Sequence, residues 1–483
     1  DTPMSGGPAT LARPVRARVL ARFGGQLLLV GAVMNGAPLL VALFFGEWSS
    51  ALVQSLIVLA FCGLGIVLHR SGIDGELQRN EALVLVALAF VITPALSSLA
   101  FVANGMPITD ALFEAVSGIS TTGLSMIADP GAYPATFLFT RAWLQWYGGL
   151  GVIVLGIALL GGQDTATRRL YSPLDDRLLL NSSRRFARNM LRAYVLLSLG
   201  AWAVLSLTGT DPFDALLHTL SAVSTGGFSP YADSLRHMPG WGSRYLVIAF
   251  SLIGALPLAL VIERGLRQAG GDGEIRALLA LCLAWALLLA WRMHQNLGID
   301  WPEALLQGGL LGISAQSTTG FSVLAPLQLD DISKLLLCLS MLSGGCLGST
   351  AGGIKLLRIL ILLRVLQVYF LRSAMPRHAV VPHKLGGALL SGDEIQHALI
   401  LLLLFVLVLL GSWLVFVACG YPAVDSLFEV SSALATTGLS VGISSTALPT
   451  GLKLLLCFDM LLGRVEVFAL LVLLYPRTWI LRR

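Results

Sequence analysis

The sequence predicts an all-α polytopic membrane protein, and three observations carry that prediction. Hydrophobic residues make up 56% of the 483 residues and charged residues only 12%, against about 25% charged in a soluble globular chain. Ten apolar runs punctuate the chain, and mean hydropathy is +0.80. One glycine-centred motif occurs four times, each time between two of those runs. The composition excludes a water-soluble enzyme, a disordered chain and a nucleic-acid binder. The net charge of +5 does not point to nucleic acid, because the basic residues fall in short loops between apolar runs. The surroundings it implies are a lipid bilayer.

The runs are approximately 26–45, 51–68, 82–101, 136–160, 193–208, 244–262, 277–291, 332–371, 398–418 and 451–475. A crossing takes about 20 residues, so 277–291 is expected to borrow from its flanks. The 332–371 run is too long: as one helix it would reach about 60 Å, twice the hydrocarbon thickness. Residues 343–353, rich in Gly and Ser, interrupt it. A broken helix is expected there, because irregular backbone at that depth survives only inside protein or beside water. Segments 1–25, 69–80, 161–192, 263–276, 358–397 and 476–483 hold 24 of the 32 Lys and Arg, and the opposite loops hold six. Both termini are therefore expected to be cytoplasmic. The first apolar run lacks a small-residue cleavage site, so no cleavable signal peptide is expected. The six cysteines stand singly in apolar stretches and read as buried small hydrophobes. The seven histidines form no H-E-x-x-H, which leaves zinc hydrolysis unsupported.

The repeated motif is S-x-x-[SA]-T-[TG]-G-[LF]-S, at Ser117–Ser125, Ser221–Ser229, Ser314–Ser322 and Ser432–Ser440. Its glycines, Gly123, Gly227, Gly320 and Gly438, are spaced by 104, 93 and 118 residues. Each copy follows a short amphipathic stretch, too short to cross. Each stretch opens with a proline just before an acid: Pro107 and Asp110, Pro212 and Asp214, Pro302 and Glu303, Pro422 and Asp425. Proline and carboxylates favour a first helical turn. Four half-helices are therefore expected to enter from the outer surface, with their negative ends pointing inward. After each, Gly permits φ > 0 and lets carbonyls turn to one side, while Ser and Thr add hydroxyl oxygens. Neutral oxygens without an acidic ring suit a monovalent cation. A single S-T-T-G is ordinarily a loop or a packing site; four in matched settings are not. Gly348 to Lys355 is no phosphate-binding loop, because Ile354 separates Gly353 from Lys355. Tight helix packing through Gly344, Gly348 and Gly352 is the competing reading of that stretch.

With these motifs in view, the chain resembles the Trk/Ktr/HKT superfamily of potassium transporters, closest to its bacterial TrkH/TrkG branch, over nearly its whole length. The resemblance implies four helix–pore loop–helix repeats, pseudo-fourfold around one pore, plus an N-terminal two-helix hairpin. The division is then a cytoplasmic segment 1–25, a hairpin 26–80, and repeats 81–192, 193–276, 277–393 and 394–483. It further implies a selectivity filter at Ser120, Thr121, Thr122 and Gly123; Ser224, Thr225, Gly226 and Gly227; Ser317, Thr318, Thr319 and Gly320; and Ala435, Thr436, Thr437 and Gly438. Gly at 123 favours potassium, since members with Ser there tend toward sodium. Gly226 and Ala435 depart from the pattern, and Ala435 removes one hydroxyl. An intramembrane gate loop is implied at 343–353, built on Gly344, Gly345, Gly348, Gly352 and Gly353 and ending at Lys355, with Arg464 as an electrostatic barrier. Asp459 and Glu466 are candidate partners for Arg464. The resemblance implies K⁺ as the transported ion, with no organic cofactor expected in this chain. Implied partners are a second copy of the chain and a cytosolic nucleotide-binding ring of TrkA type, for which the arginine-rich segment 161–192 is a docking candidate. No covalent chemistry is expected, and the location is the bacterial inner membrane. The competing functions are the K⁺-binding subunit of a P-type pump complex and, from another class, an intramembrane enzyme.

Overall fold

The computed structural model describes residues 14–160, 179–258, 273–376, 381–386 and 388–479. Most of segment 161–192, part of 263–276 and the first residues of segment 1–25 lie outside the described residues. Helices dominate, as the apolar runs require. Among the described residues six are long and apolar enough to cross a membrane: Ala17–Phe44, Trp48–Ser71, Asn80–Val102, Arg188–Ser206, Gly273–Leu297 and Gly392–Ala418. Among the described residues the only strands are a two-residue antiparallel pair, Lys384–Leu385 with Ala388–Leu389, turned by Gly386 at φ +57°.

The first two helices form a closely packed hairpin. A Cβ on Gly25 would overlap the backbone of His69 and Gly65, so the helices meet backbone to backbone. The four amphipathic stretches are short helices at Ile108–Ile119, Pro212–Val223, Trp301–Gln316 and Ala423–Leu434. Three have 12 residues and the third in order has 16, rising about 18 and 24 Å, short of the roughly 30 Å hydrocarbon core. Each half-helix is followed by a second helix: Ala135–Leu160, Gly240–Gly254, Asp331–Ser343 and Thr450–Arg464.

These second helices set the arrangement. The one after half-helix one packs on half-helix two, the next on half-helix three, the next on half-helix four, and the last on half-helix one. The series closes on itself, so the four units surround one axis. Two ion pairs fasten this ring: Lys453 to Asp110 at 2.5 Å, buried, and Lys334 to Asp425 at 2.6 Å, half-buried.

The long 332–371 run is broken, as its length demands. Asp331–Ser343 ends at Gly344 and the next helix starts at Leu356. The 451–475 run, which reads in the sequence as one span, is also divided. Its helix stops at Arg464, Val465 lies between, and Glu466–Leu474 resumes. No Gly or Pro stands at Val465 to announce that break.

Candidate functional site

Each half-helix hands over to its motif in the same conformation. Ser120, Ser224, Ser317 and Ala435 close the four helices with φ between −77° and −82°. Thr121, Thr225, Thr318 and Thr436 then turn left-handed, at φ 54°, 54°, 52° and 50°. The third residues revert, and Gly123, Gly227, Gly320 and Gly438 turn left-handed again at φ 93°, 80°, 81° and 91°. Successive residues of alternating hand put their N–H groups on one side, which leaves the carbonyls on the other. A β-branched residue at positive φ is strained, and here it recurs in all four copies. Sequence reasoning placed these threonines in the filter and anticipated positive φ at the glycines, but not at the threonines, whose invariance at the second position was the available signal.

Hydrogen bonds fix which side is which. In segment one, Ser120 N donates to Val116 O, Thr121 N to Gly118 O, Thr122 N to Ser117 O, each at 2.9 Å, and Gly123 N to Ser117 Oγ at 3.0 Å. Segment four repeats this, ending with Gly438 N on Ser432 Oγ at 3.0 Å. Segments two and three tie back their first three N–H groups in the same way, while Ser221 Oγ and Ser314 Oγ accept nothing. With the N–H groups bonded to the half-helices, the carbonyls of Thr121 to Gly123, Thr318 to Gly320 and Thr436 to Gly438 carry no protein donor.

The segments also meet one another in a ring. A Cβ on Gly123 would strike Gly226 O, one on Gly227 Thr319 O, one on Gly320 Thr437 O, and one on Gly438 Thr122 O. Each glycine thus borders the next segment, and the fourth borders the first. All sixteen residues predicted from the motif are brought together. Ala435 has a definite consequence. Ser120 Oγ meets Thr122 Oγ1 at 2.7 Å and Ser317 Oγ meets Thr319 Oγ1 at 2.8 Å, whereas Thr437 Oγ1 has no partner. The missing hydroxyl braces its own segment rather than facing the axis.

Side chains behind the ring hold the end that follows the glycines. Glu114 accepts from Ser125 Oγ at 3.0 Å and Met126 N at 3.2 Å, and Arg141 Nε bonds it at 2.7 Å. Glu429 accepts from Ser440 Oγ at 2.8 Å and Val441 N at 3.2 Å. His218 Nε2 lies 3.2 Å from Ser229 Oγ. These three residues occupy the same place, nine before their glycine, and none was singled out from the sequence.

Residues 344–355 form a loop against the end of the ring nearest the half-helix C-termini. Gly352 N donates to Thr318 Oγ1 at 2.7 Å, and a Cβ there would strike Ala435 O and Thr436 Oγ1. Thr225 Oγ1 lies 3.3 Å from Thr350 Oγ1, which bonds Gly254 O at 2.9 Å. The loop therefore touches segments two, three and four. Gly344, Gly348 and Gly353 are left-handed, at φ 69°, 74° and 74°, and Lys355 shares that conformation at φ 74°. Gly345 is small for a different reason: a Cβ there would strike that of Ala351. Lys355 Nζ donates to Ala351 O. Gln316, at the end of half-helix three, donates to Gly344 O at 2.7 Å.

Arg464 closes the assembly. Its guanidinium donates to Thr350 O in the loop at 2.5 Å and to Gly148 O at 3.1 Å, with the residue 3% exposed. Asp459 is not its partner, contrary to the sequence expectation: Asp459 accepts from Ser412 Oγ at 2.8 Å. The side chain of Glu466 lies outside the described residues. A cavity of about 40 Å³ lies beside the loop, lined among others by Gly353, Lys355, Arg358, Phe405 and Arg464.

Comparison with known proteins agrees with this arrangement. The family model described as TrkH, cation transport protein, matches residues 79–264 and 278–478. The Trk system potassium uptake protein TrkH of Vibrio parahaemolyticus is 30% identical, covering 96% of this chain and 99% of that protein. The TrkH of Escherichia coli is 29% identical over the same shares, and its TrkG is 27% identical over 96% and 98%. The crystal structure of the potassium transporter TrkH from Vibrio parahaemolyticus superposes with a TM-score of 0.86 at 26% identity, covering 96% of this chain and 100% of that one.

Proposed function

The chain belongs to the TrkH cation transport family and is a multi-pass membrane protein, and from that premise we propose that it is the pore-forming subunit of a Trk-type potassium uptake system. The observation that carries the reading is the closed ring of four segments whose first three N–H groups are each bonded back to their own half-helix. Carbonyl oxygens replace the hydration shell of a dehydrated cation. The negative ends of four half-helices favour a cation at the same place. Sixteen residues form the filter: Ser120 to Gly123, Ser224 to Gly227, Ser317 to Gly320 and Ala435 to Gly438. No bond is made or broken; the membrane potential drives the ion inward, worth about 2.3 kcal/mol per charge per 100 mV.

The loop 343–353 is the gate in this reading. Arg464 latches it and places a positive charge on the ion path; Lys355 anchors its end. Both termini are cytoplasmic, the membrane is the bacterial inner membrane, and the chain pairs as a homodimer that docks a cytosolic nucleotide-binding ring of TrkA type. The domain division at 26–80, 81–192, 193–276, 277–393 and 394–483 follows the same repeats. The test is uptake of K⁺, Rb⁺ and Na⁺ into vesicles containing purified protein, with Gly123→Ser in parallel. The parent should take up K⁺ and Rb⁺ over Na⁺, and Gly123→Ser should erode that preference. Equal permeation of all three ions by the parent would refute the reading.

A further inference from the structure

Three of the four segments carry Thr at the third position, namely Thr122, Thr319 and Thr437; the second carries Gly226. The structure accounts for that exception. Gln145 lies on the helix that follows segment one and packs on half-helix two. Its Nε2 donates to Gly226 O at 2.6 Å and its Oε1 accepts from Phe228 N at 3.1 Å. The side chain is fully buried. Both amide atoms are committed, and the chemistry fixes their orientation: a carbonyl needs the donor, an N–H needs the acceptor. A Cβ on Gly226 would overlap the Gln145 amide. A third-position side chain and the amide thus compete for one space.

The two residues form one device. In segments one and three the third-position hydroxyl braces its own strand through Ser120 or Ser317. Segment two has no such hydroxyl, and Ser224 Oγ turns back to Leu220 O and Ser221 O instead. The brace comes from the neighbouring repeat. Gly226 O is also the third-position carbonyl that carries a protein donor; Thr122 O, Thr319 O and Thr437 O carry none. It lies at the seam with segment one, where a Cβ on Gly123 would strike it.

We propose that Gln145 is a positioning residue for ion selectivity, completing the second filter strand from the adjacent repeat by holding the Gly226 carbonyl in register. The proposal rests on the filter reading above. Of its two bonds, the one to the Gly226 carbonyl fixes the scale, so Gln145→Ala should lower the K⁺ over Na⁺ flux ratio by about tenfold while flux persists. Gly226→Thr should lower K⁺ flux, because its side chain meets the amide. The double variant Gln145→Ala/Gly226→Thr should recover toward the parent ratio, since the threonine then has the space and a hydroxyl partner in Ser224.

The experiment is K⁺ and Na⁺ flux in vesicles for the parent, both single variants, the double variant and Gln145→Met, which removes both hydrogen bonds at similar volume. Elution volume in detergent reports folding, and the Met variant serves if the Ala variant fails to fold. A parental ratio in a folded Gln145→Ala or Gln145→Met overturns the proposal, as does a double variant no better than its worse single. Gly320→Ser, on segment three, separates the two failures. If it collapses selectivity while the Gln145 variants do not, only the role of Gln145 falls. If it also leaves selectivity intact, the filter reading falls with it.

Discussion

Replacing Arg464 with alanine should open the loop, and the structure sets the size of the effect. Of the two bonds made by the guanidinium, only the one to Thr350 O, at 2.5 Å, reaches the loop; the one to Gly148 O, at 3.1 Å, holds the guanidinium itself in place. A hydrogen bond from a charged donor contributes about 1.5–3 kcal/mol net. Losing it should shift the closed-to-open ratio by roughly ten- to a hundredfold, at about 1.4 kcal/mol per decade. On the proposed path the same substitution also removes a cation, which acts in the same direction. The assay is Rb⁺ uptake into vesicles containing purified protein. Uptake should rise about tenfold or more, until passage through the ring limits it. Arg464→Lys keeps the charge and loses the fork that spans two carbonyls, so its flux should fall between the parent and Arg464→Ala. Flux unchanged or lower in Arg464→Ala, with parental ion preference and melting temperature, would refute the latch.

The remaining predictions address the ring and its supports. Gly438→Ala should destroy ion preference in the flux assay, because alanine at φ 91° is strained and its Cβ strikes Thr122 O. Lys453→Met leaves Asp110 buried and unpaired and should lower stability by about 3–5 kcal/mol in detergent melts; adding Asp110→Asn should restore most of the loss. Asp330 caps the N-terminus of the helix Asp331–Ser343. Burial favours its neutral form, but bonds from Ser333, Arg292 and Asn296 outweigh it and hold the carboxyl at about 2. Its folded value is depressed, so its stabilisation is complete above its unfolded value of about 4 and fades as pH falls toward 2. Asp330→Asn should therefore melt below the parent at neutral pH, with the gap closing between pH 4 and pH 2. A gap that widens in acid would contradict this.

The ring was legible because its signal is local and repeated. Glycine at Gly123, Gly227, Gly320 and Gly438 marks positive φ wherever the fold places it, and a proline before an acid marks each half-helix start. The break in 332–371 followed from length alone. What stayed hidden depends on proximity between repeats. Nothing near Gln145 in the chain announces Gly226, 81 residues away. Arg464 was read against nearby acids, but a buried guanidinium is satisfied equally by carbonyls, and Thr350 is 114 residues distant. The division of 451–475 at Val465 escaped for a related reason. A Cβ on Gly463 would strike Leu434 O, so packing against the fourth half-helix shapes that helix end, and packing partners are not written in the local pattern.

Covalent continuity of the four quarters changes how such a ring can drift. In an assembly of identical subunits one codon change alters every side of the conduit at once, a step that is hard to survive. Here Gly226 can depart from the threonine found at its three counterparts, because the amide of Gln145 occupies the space next door. Permeation in a single-chain conduit can thus be adjusted a quarter at a time.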